Sequence, residues 1–122
     1  MRIIHVIKTR GILIKKKLSK TSEFKKVFLK GRRSEGKNAV IFILKNEYSL
    51  NRLGVIVKKE IGKAVVRNKV KRRLKEAGRL MGKKLFLGYD IIILAKKNIE
   101  KASYFEICHD LESLFNKEKL IS

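Results

Sequence analysis

From Gly62 to Gly82 the chain reads GKAVVRNKVKRRLKEAGRLMG, a stretch whose apolar residues fall on one side only if it is helical. At about 100° per residue, Val66, Val70, Leu74, Ala77 and Met81 gather on one stripe, whereas Asn68, Lys71, Arg72, Lys75 and Arg79 point away from it. The pattern predicts a docked helix with a basic outer face. Cations in the first turns oppose the helix macrodipole, at about 0.3–1 kcal/mol each when exposed, so a helix shaped by stability alone would carry acids there. Between Arg67 and Arg79 only Glu76 is acidic, and the face lacks the mixed signs that give i,i+4 pairs. Asn68 adds a neutral donor and acceptor suited to phosphate, sugar hydroxyl or base edge. A polyanionic partner accounts for this better than a merely solvated face.

The distribution of charge elsewhere agrees. The 122 residues carry 32 Lys and Arg against 11 Asp and Glu, a formal +21. Residues 1–37 hold 13 bases and 2 acids, residues 58–84 hold 12 and 2, and the remainder is balanced at 7 and 7. The surplus therefore sits in two blocks and predicts one or two strongly positive faces. An apolar fraction of 44% in a chain of this length supports one packed domain. Cys108 is the only cysteine, so no internal disulfide forms, which fits a reducing, cytoplasmic setting. The opening MRIIHVIKTRGILIKKK has short apolar runs broken by Lys8, Thr9 and Arg10, too short for a membrane span. It reads as a flexible basic arm over 1–14 ahead of a single domain over 15–122, in preference to a segment lying on a membrane surface.

Gly62-Lys63-Ala64-Val65-Val66-Arg67-Asn68-Lys69-Val70-Lys71-Arg72 resembles the Arg-Asn-Arg signature helix of the bacterial ribonuclease P protein subunit and its Gly-x-Ala-Val approach. Upstream, Ser22 to Gly31 is similar to that family's first helix, and Arg52 to Lys59 to the strand before the signature. Downstream, Gly88 to Ala95 is similar to its last strand, so the resemblance spans roughly residues 15 to 118. Lys69 and Lys75 stand where Arg is common in the family; charge is kept, but the planar bidentate fork is lost. The resemblance implies an α+β fold in α-β-β-β-α-β-α order. It implies a four-stranded mixed sheet packed by helices and a left-handed βαβ crossover, as in a ribosomal protein domain, against the usual right-handed rule.

The elements can be placed along the chain. A first helix is predicted from Thr21 to Lys30 with Ser22 as cap and Gly31 as stop. Its Phe24, Val27 and Phe28 share one face and read first as core. A short strand from Arg32 to Gly36 leads into Asn38 to Lys45, apolar on both sides: Ala39, Ile41 and Ile43 point one way, Val40, Phe42 and Leu44 the other. Leu53 to Lys58 returns as a strand, Tyr89 to Ala95 is a buried central strand, and a last helix starts near Ser103 with a Ser103–Glu106 capping box. On that helix Tyr104, Ile107, Cys108, Leu111, Leu114 and Phe115 form the apolar stripe, which places Cys108 in the core. Glu106, His109 and Asp110 read as a solvated polar face, not a metal site.

Candidate catalytic groups are few. His5 lies in the arm and His109 on an outer face, no acidic cluster suggests a two-metal nuclease centre, and no phosphate loop is present. The family resemblance implies that the chemistry belongs to a partner RNA with bound Mg²⁺, while this protein assists 5′ maturation of tRNA. It implies catalytic-RNA binding by Arg67, Asn68, Lys69, Lys71, Arg72 and Lys75. It also implies contact of Phe24, Phe28, Val40, Phe42, Lys58 and Lys59 with the 5′ leader of precursor tRNA. The expected partners are ribonuclease P RNA and precursor tRNA, with neither a membrane nor a protein partner. A ribosomal-type structural RNA-binding protein and an autonomous nuclease are the alternatives.

Overall fold

The computed structural model describes residues 21–48, 51–82 and 88–119. The elements are α1 (Thr21–Lys30), β1 (Arg32–Glu35), β2 (Ala39–Lys45), β3 (Arg52–Ile56), α2 (Ala64–Gly82), β4 (Tyr89–Ala95) and α3 (Tyr104–Lys117). Short 3-10 turns occupy Lys59–Ile61 and Lys97–Lys101. The order is the predicted one, and α1 and β4 have the predicted bounds. Ser22 lies inside the first turn of α1 and not ahead of it. The predicted basic arm lies outside the described residues.

The strands form one sheet in the order β1-β2-β4-β3. β1 and β4 both run antiparallel to β2, whereas β3 runs parallel to β4. Both faces of β4 are therefore apolar, as a central strand requires. On one face Ala39, Ile41, Ile43, Leu53, Val55, Ile91, Ile93 and Ala95 pack with Val70, Leu74, Ala77 and Met81 of α2 and Ile107, Leu111, Leu114 and Phe115 of α3. The other face carries a smaller cluster, Phe24 and Val27 of α1 against Ile56 and Ile92. One short helix cannot cover that whole face, and Phe28, Phe42, Leu44 and Leu94 remain partly buried around it.

Local chemistry fixes the joints. A Cβ at Gly31 would lie 2.5 Å from the Val27 carbonyl oxygen and 2.7 Å from that of Ile43, so only glycine lets α1 turn so closely onto the sheet. Asp110 is half-buried and accepts from the backbone N–H of Lys37 at 3.0 Å and of Asn38 at 2.8 Å. This corrects the expectation of a solvated Asp110: its carboxylate closes the β1–β2 turn. Cys108 is also half-buried, at the margin of the core. Among the described residues no three His, Cys, Asp or Glu side chains form a metal-binding group.

The capping box forms as predicted. Glu106 N–H donates to Ser103 Oγ at 3.1 Å, and Ser103 N–H donates to Glu106 Oε1 at 3.0 Å. That backbone donor holds the Glu106 carboxyl below its ordinary 4.5. A depressed carboxyl stabilises the fold above the unfolded-state value, and the gain is lost as pH falls through the folded-state value. Wild type is expected to melt at a higher temperature than Glu106→Gln at pH 7, with the gap closing below about pH 4.5. A gap that persists unchanged at pH 3 in thermal melts would contradict this.

Candidate nucleic-acid interface

The seat of α2 decides which of its cations face outward. Val70, Leu74, Ala77 and Met81 are buried, and Gly78 approaches the sheet so closely that a Cβ there would lie 3.0 Å from Leu53 Cδ2. Asn68, Lys69 and Arg72 are exposed, and Arg67 and Lys75 are half-buried. Lys71 is only 8% exposed, contrary to the expected outward position. It falls on the same flank of α2 as Gly78, seven residues on, the flank that approaches Leu53 of β3. The outer face thus consists of Asn68, Lys69, Arg72 and Lys75, with Arg67 at its edge.

Neutralising acids are scarce on this face. α2 has no acidic residue in its first turn, and Glu76 is taken by Arg79 through a salt bridge and hydrogen bonds. Arg73 NH1 donates to the Ala102 carbonyl at 3.1 Å and so ties α2 to the turn before α3. Among the described residues Arg67, Lys69, Arg72 and Lys75 have no salt-bridge partner. The Nε of Arg67 is buried without a hydrogen-bond partner in the protein, a costly state for the fold.

A second surface lies across the sheet. Phe28 meets Phe42 edge to face, ring centroids 4.7 Å apart at 84°, and these half-buried rings form an apolar floor with Leu44 and Leu94. Phe24 is fully buried and Val40 is 4% exposed, so both support this floor from within and neither can touch a ligand base. Lys58 and Lys59 are exposed just beyond β3, which ends at Ile56 and not at Lys58. The alternation of β2 pointed to Phe42 and Leu44; the contribution of Leu94 depends on strand pairing that no local pattern reveals.

Sequence reasoning missed a buried ionic cluster at the far end of the sheet. Arg52 Nε and NH2 grip Asp90 Oδ1 and Oδ2 at 2.7 and 2.5 Å, while NH1 reaches Glu23 Oε2 at 2.5 Å. Asn46 Nδ2 donates to Asp90 Oδ1 at 2.9 Å, and the Tyr48 ring lies 4.7 Å from the Arg52 guanidinium. The bond to Asp90 is the main cause holding the Arg52 pKa above its ordinary value, so the cation stays charged. The cluster joins α1, the β2–β3 turn, β3 and β4. No described helix is long and apolar enough to cross a membrane.

Known proteins of the same build share this arrangement of elements. The family model described as Ribonuclease P matches residues 14–119. The ribonuclease P protein component of Alkaliphilus oremlandii is 42% identical over 106 residues, covering 87% of this chain and 93% of that protein. Its counterpart from Clostridium botulinum is 41% identical over 102 residues, covering 83% and 92%. The Staphylococcus aureus RNase P protein superposes with a TM-score of 0.79 at 28% identity, covering 87% of this chain and 97% of that one. The RNase P protein from Thermotoga maritima gives 0.77 at 26%, covering 84% and 97%. With its basic α2 face, its mixed four-stranded sheet and these relatives along nearly its whole length, the chain belongs to the ribonuclease P protein component family.

Proposed function

We propose that the protein is the subunit of ribonuclease P that binds the catalytic RNA through the outer face of α2. On the opposite side of the sheet, Phe28 and Phe42 with Lys58 and Lys59 guide the 5′ leader of precursor tRNA. Bond cleavage in this reading belongs to the RNA and its Mg²⁺; the protein positions substrate. The observation that carries the proposal is the row of Lys69, Arg72 and Lys75 without salt-bridge partners on one face of α2. Such a face suits a folded RNA backbone, which supplies phosphate oxygens at short, regular spacing. The half-buried rings suit a single strand, whose unpaired bases expose π-faces.

The test is cleavage of precursor tRNA by a bacterial ribonuclease P RNA at low Mg²⁺, with and without the protein. Stimulation is expected, and it should be larger for substrate carrying a 5′ leader. The double variant Phe28→Ala, Phe42→Ala should lose about tenfold in the affinity difference between leader-bearing and mature tRNA while keeping its grip on the catalytic RNA. Tight RNA binding without stimulation would instead favour a structural RNA-binding protein. Cleavage by the protein with no RNA subunit present would favour an autonomous nuclease.

A further inference from the structure

Between α2 and α3 runs a groove that shares Lys69 and Arg72 with the outward face of α2. Lys69, Arg72, Arg73 and Glu76 line one wall and Tyr104 of α3 the other, around a space of about 440 Å³. That size falls within the roughly 300–1,000 Å³ of sites for small ligands, enough for one nucleotide and too little for a duplex. Within the groove Arg73 is committed to the Ala102 carbonyl and Glu76 to Arg79, which leaves Lys69 and Arg72 as the cations available to a ligand. Tyr104 is held in place by its ring, which is half-buried and packs against the core. The groove therefore combines two cations with one fixed aromatic side chain, the pairing that binds single-stranded nucleic acid.

We infer that this groove takes one unpaired nucleotide of the ribonuclease P RNA, its phosphate held by Lys69 and Arg72 and its base laid against the Tyr104 ring. The inference rests on the RNA-binding reading above and narrows it. A paired base has both faces covered by its neighbours, so an aromatic wall selects a nucleotide in a loop, bulge or junction. Phosphate contacts on the rest of α2 make no such distinction.

The test compares binding of full-length protein variants to a bacterial ribonuclease P RNA across a salt titration. Tyr104→Leu, which keeps an apolar side chain but removes the flat ring, is expected to bind about tenfold more weakly with an unchanged salt slope. Tyr104→Phe should recover most of that loss. The pair Lys69→Ala, Arg72→Ala should lower the slope itself, by about 0.7–0.9 for each phosphate that is no longer neutralised. A folded Tyr104→Leu protein with wild-type affinity overturns the groove and leaves the functional proposal standing, whereas failure of the wild type to bind the RNA overturns both. Chemical probing of the RNA provides a readout that needs no variant at Tyr104. One unpaired base should be protected in the wild-type complex and regain reactivity with the Lys69→Ala, Arg72→Ala protein; a complex with no protected unpaired base overturns the inference.

Discussion

Arg52→Met is expected to destabilise the fold by about 3–5 kcal/mol, the usual consequence of leaving a buried charge without its partner. Asp90 is only 4% exposed, and after the substitution its carboxylate keeps the Asn46 amide at 2.9 Å but neither guanidinium bond. Glu23, at the edge of the cluster, loses its 2.5 Å ion pair as well. Small domains are stable by about 5–15 kcal/mol, so urea melts should show a large drop in midpoint, and a weakly stable background would not fold. The double variant Arg52→Met, Asp90→Leu is expected to recover much of the loss, because an apolar pair of similar volume avoids the desolvation penalty of both ions. If the double variant is no better than the single, the cluster acts through packing and not through charge. The site joins four elements and adjoins the apolar floor at Leu44, which is paired with Asp90 across β2 and β4.

Arg67→Ala combined with Arg72→Ala is expected to act in the opposite sense on stability. Affinity for the catalytic RNA should fall about a hundredfold or more, since each charge-assisted bond contributes about 1.5–3 kcal/mol. Thermal stability should hold or rise. The changes remove a buried Nε that has no acceptor, lessen self-repulsion in a chain of formal charge +21, and take a cation away from the N-terminal end of α2. A face kept for binding at some cost to stability behaves in this way. Equal losses of affinity and melting temperature would assign the two arginines to the fold instead.

Much of the architecture was legible because it is local. The alternation in β2, the apolar run of β4 and the helical stripe of α2 each follow from neighbours within a few residues, and the Ser103–Glu106 box is complete within four. The errors have a common physical source in the packing of distant segments. Lys71 faces outward on an isolated helix, yet α2 leans on β3 along that flank. Phe24 and Phe28 share a face, but only packing on Ile56 and Ile92 separates the buried ring from the half-exposed one. Asp110 is unremarkable on its own helix until the β1–β2 turn arrives beneath it. Arg52 and Asp90 are 38 positions apart and meet only because β3 and β4 pair in parallel, Arg52 opposite Asp90. The candidate binding residues divide the same way: residue type announced the cations of α2, while exposure decided which of them can serve.

The position of β4 in the sheet also bears on how a ribosome can deliver this molecule. β4 separates β2 from β3, so the two earlier strands have no connection through the ladder until the later one emerges. Ile56 completes β3 and Ala95 completes β4, roughly forty residues later, which is about two to eight seconds of synthesis at 5–20 residues per second. During that interval the nascent chain carries an apolar β3 with no strand to pair with. Its abundant positive charge, useful in the finished protein for meeting RNA, repels other copies while the sheet is still waiting for its middle strand.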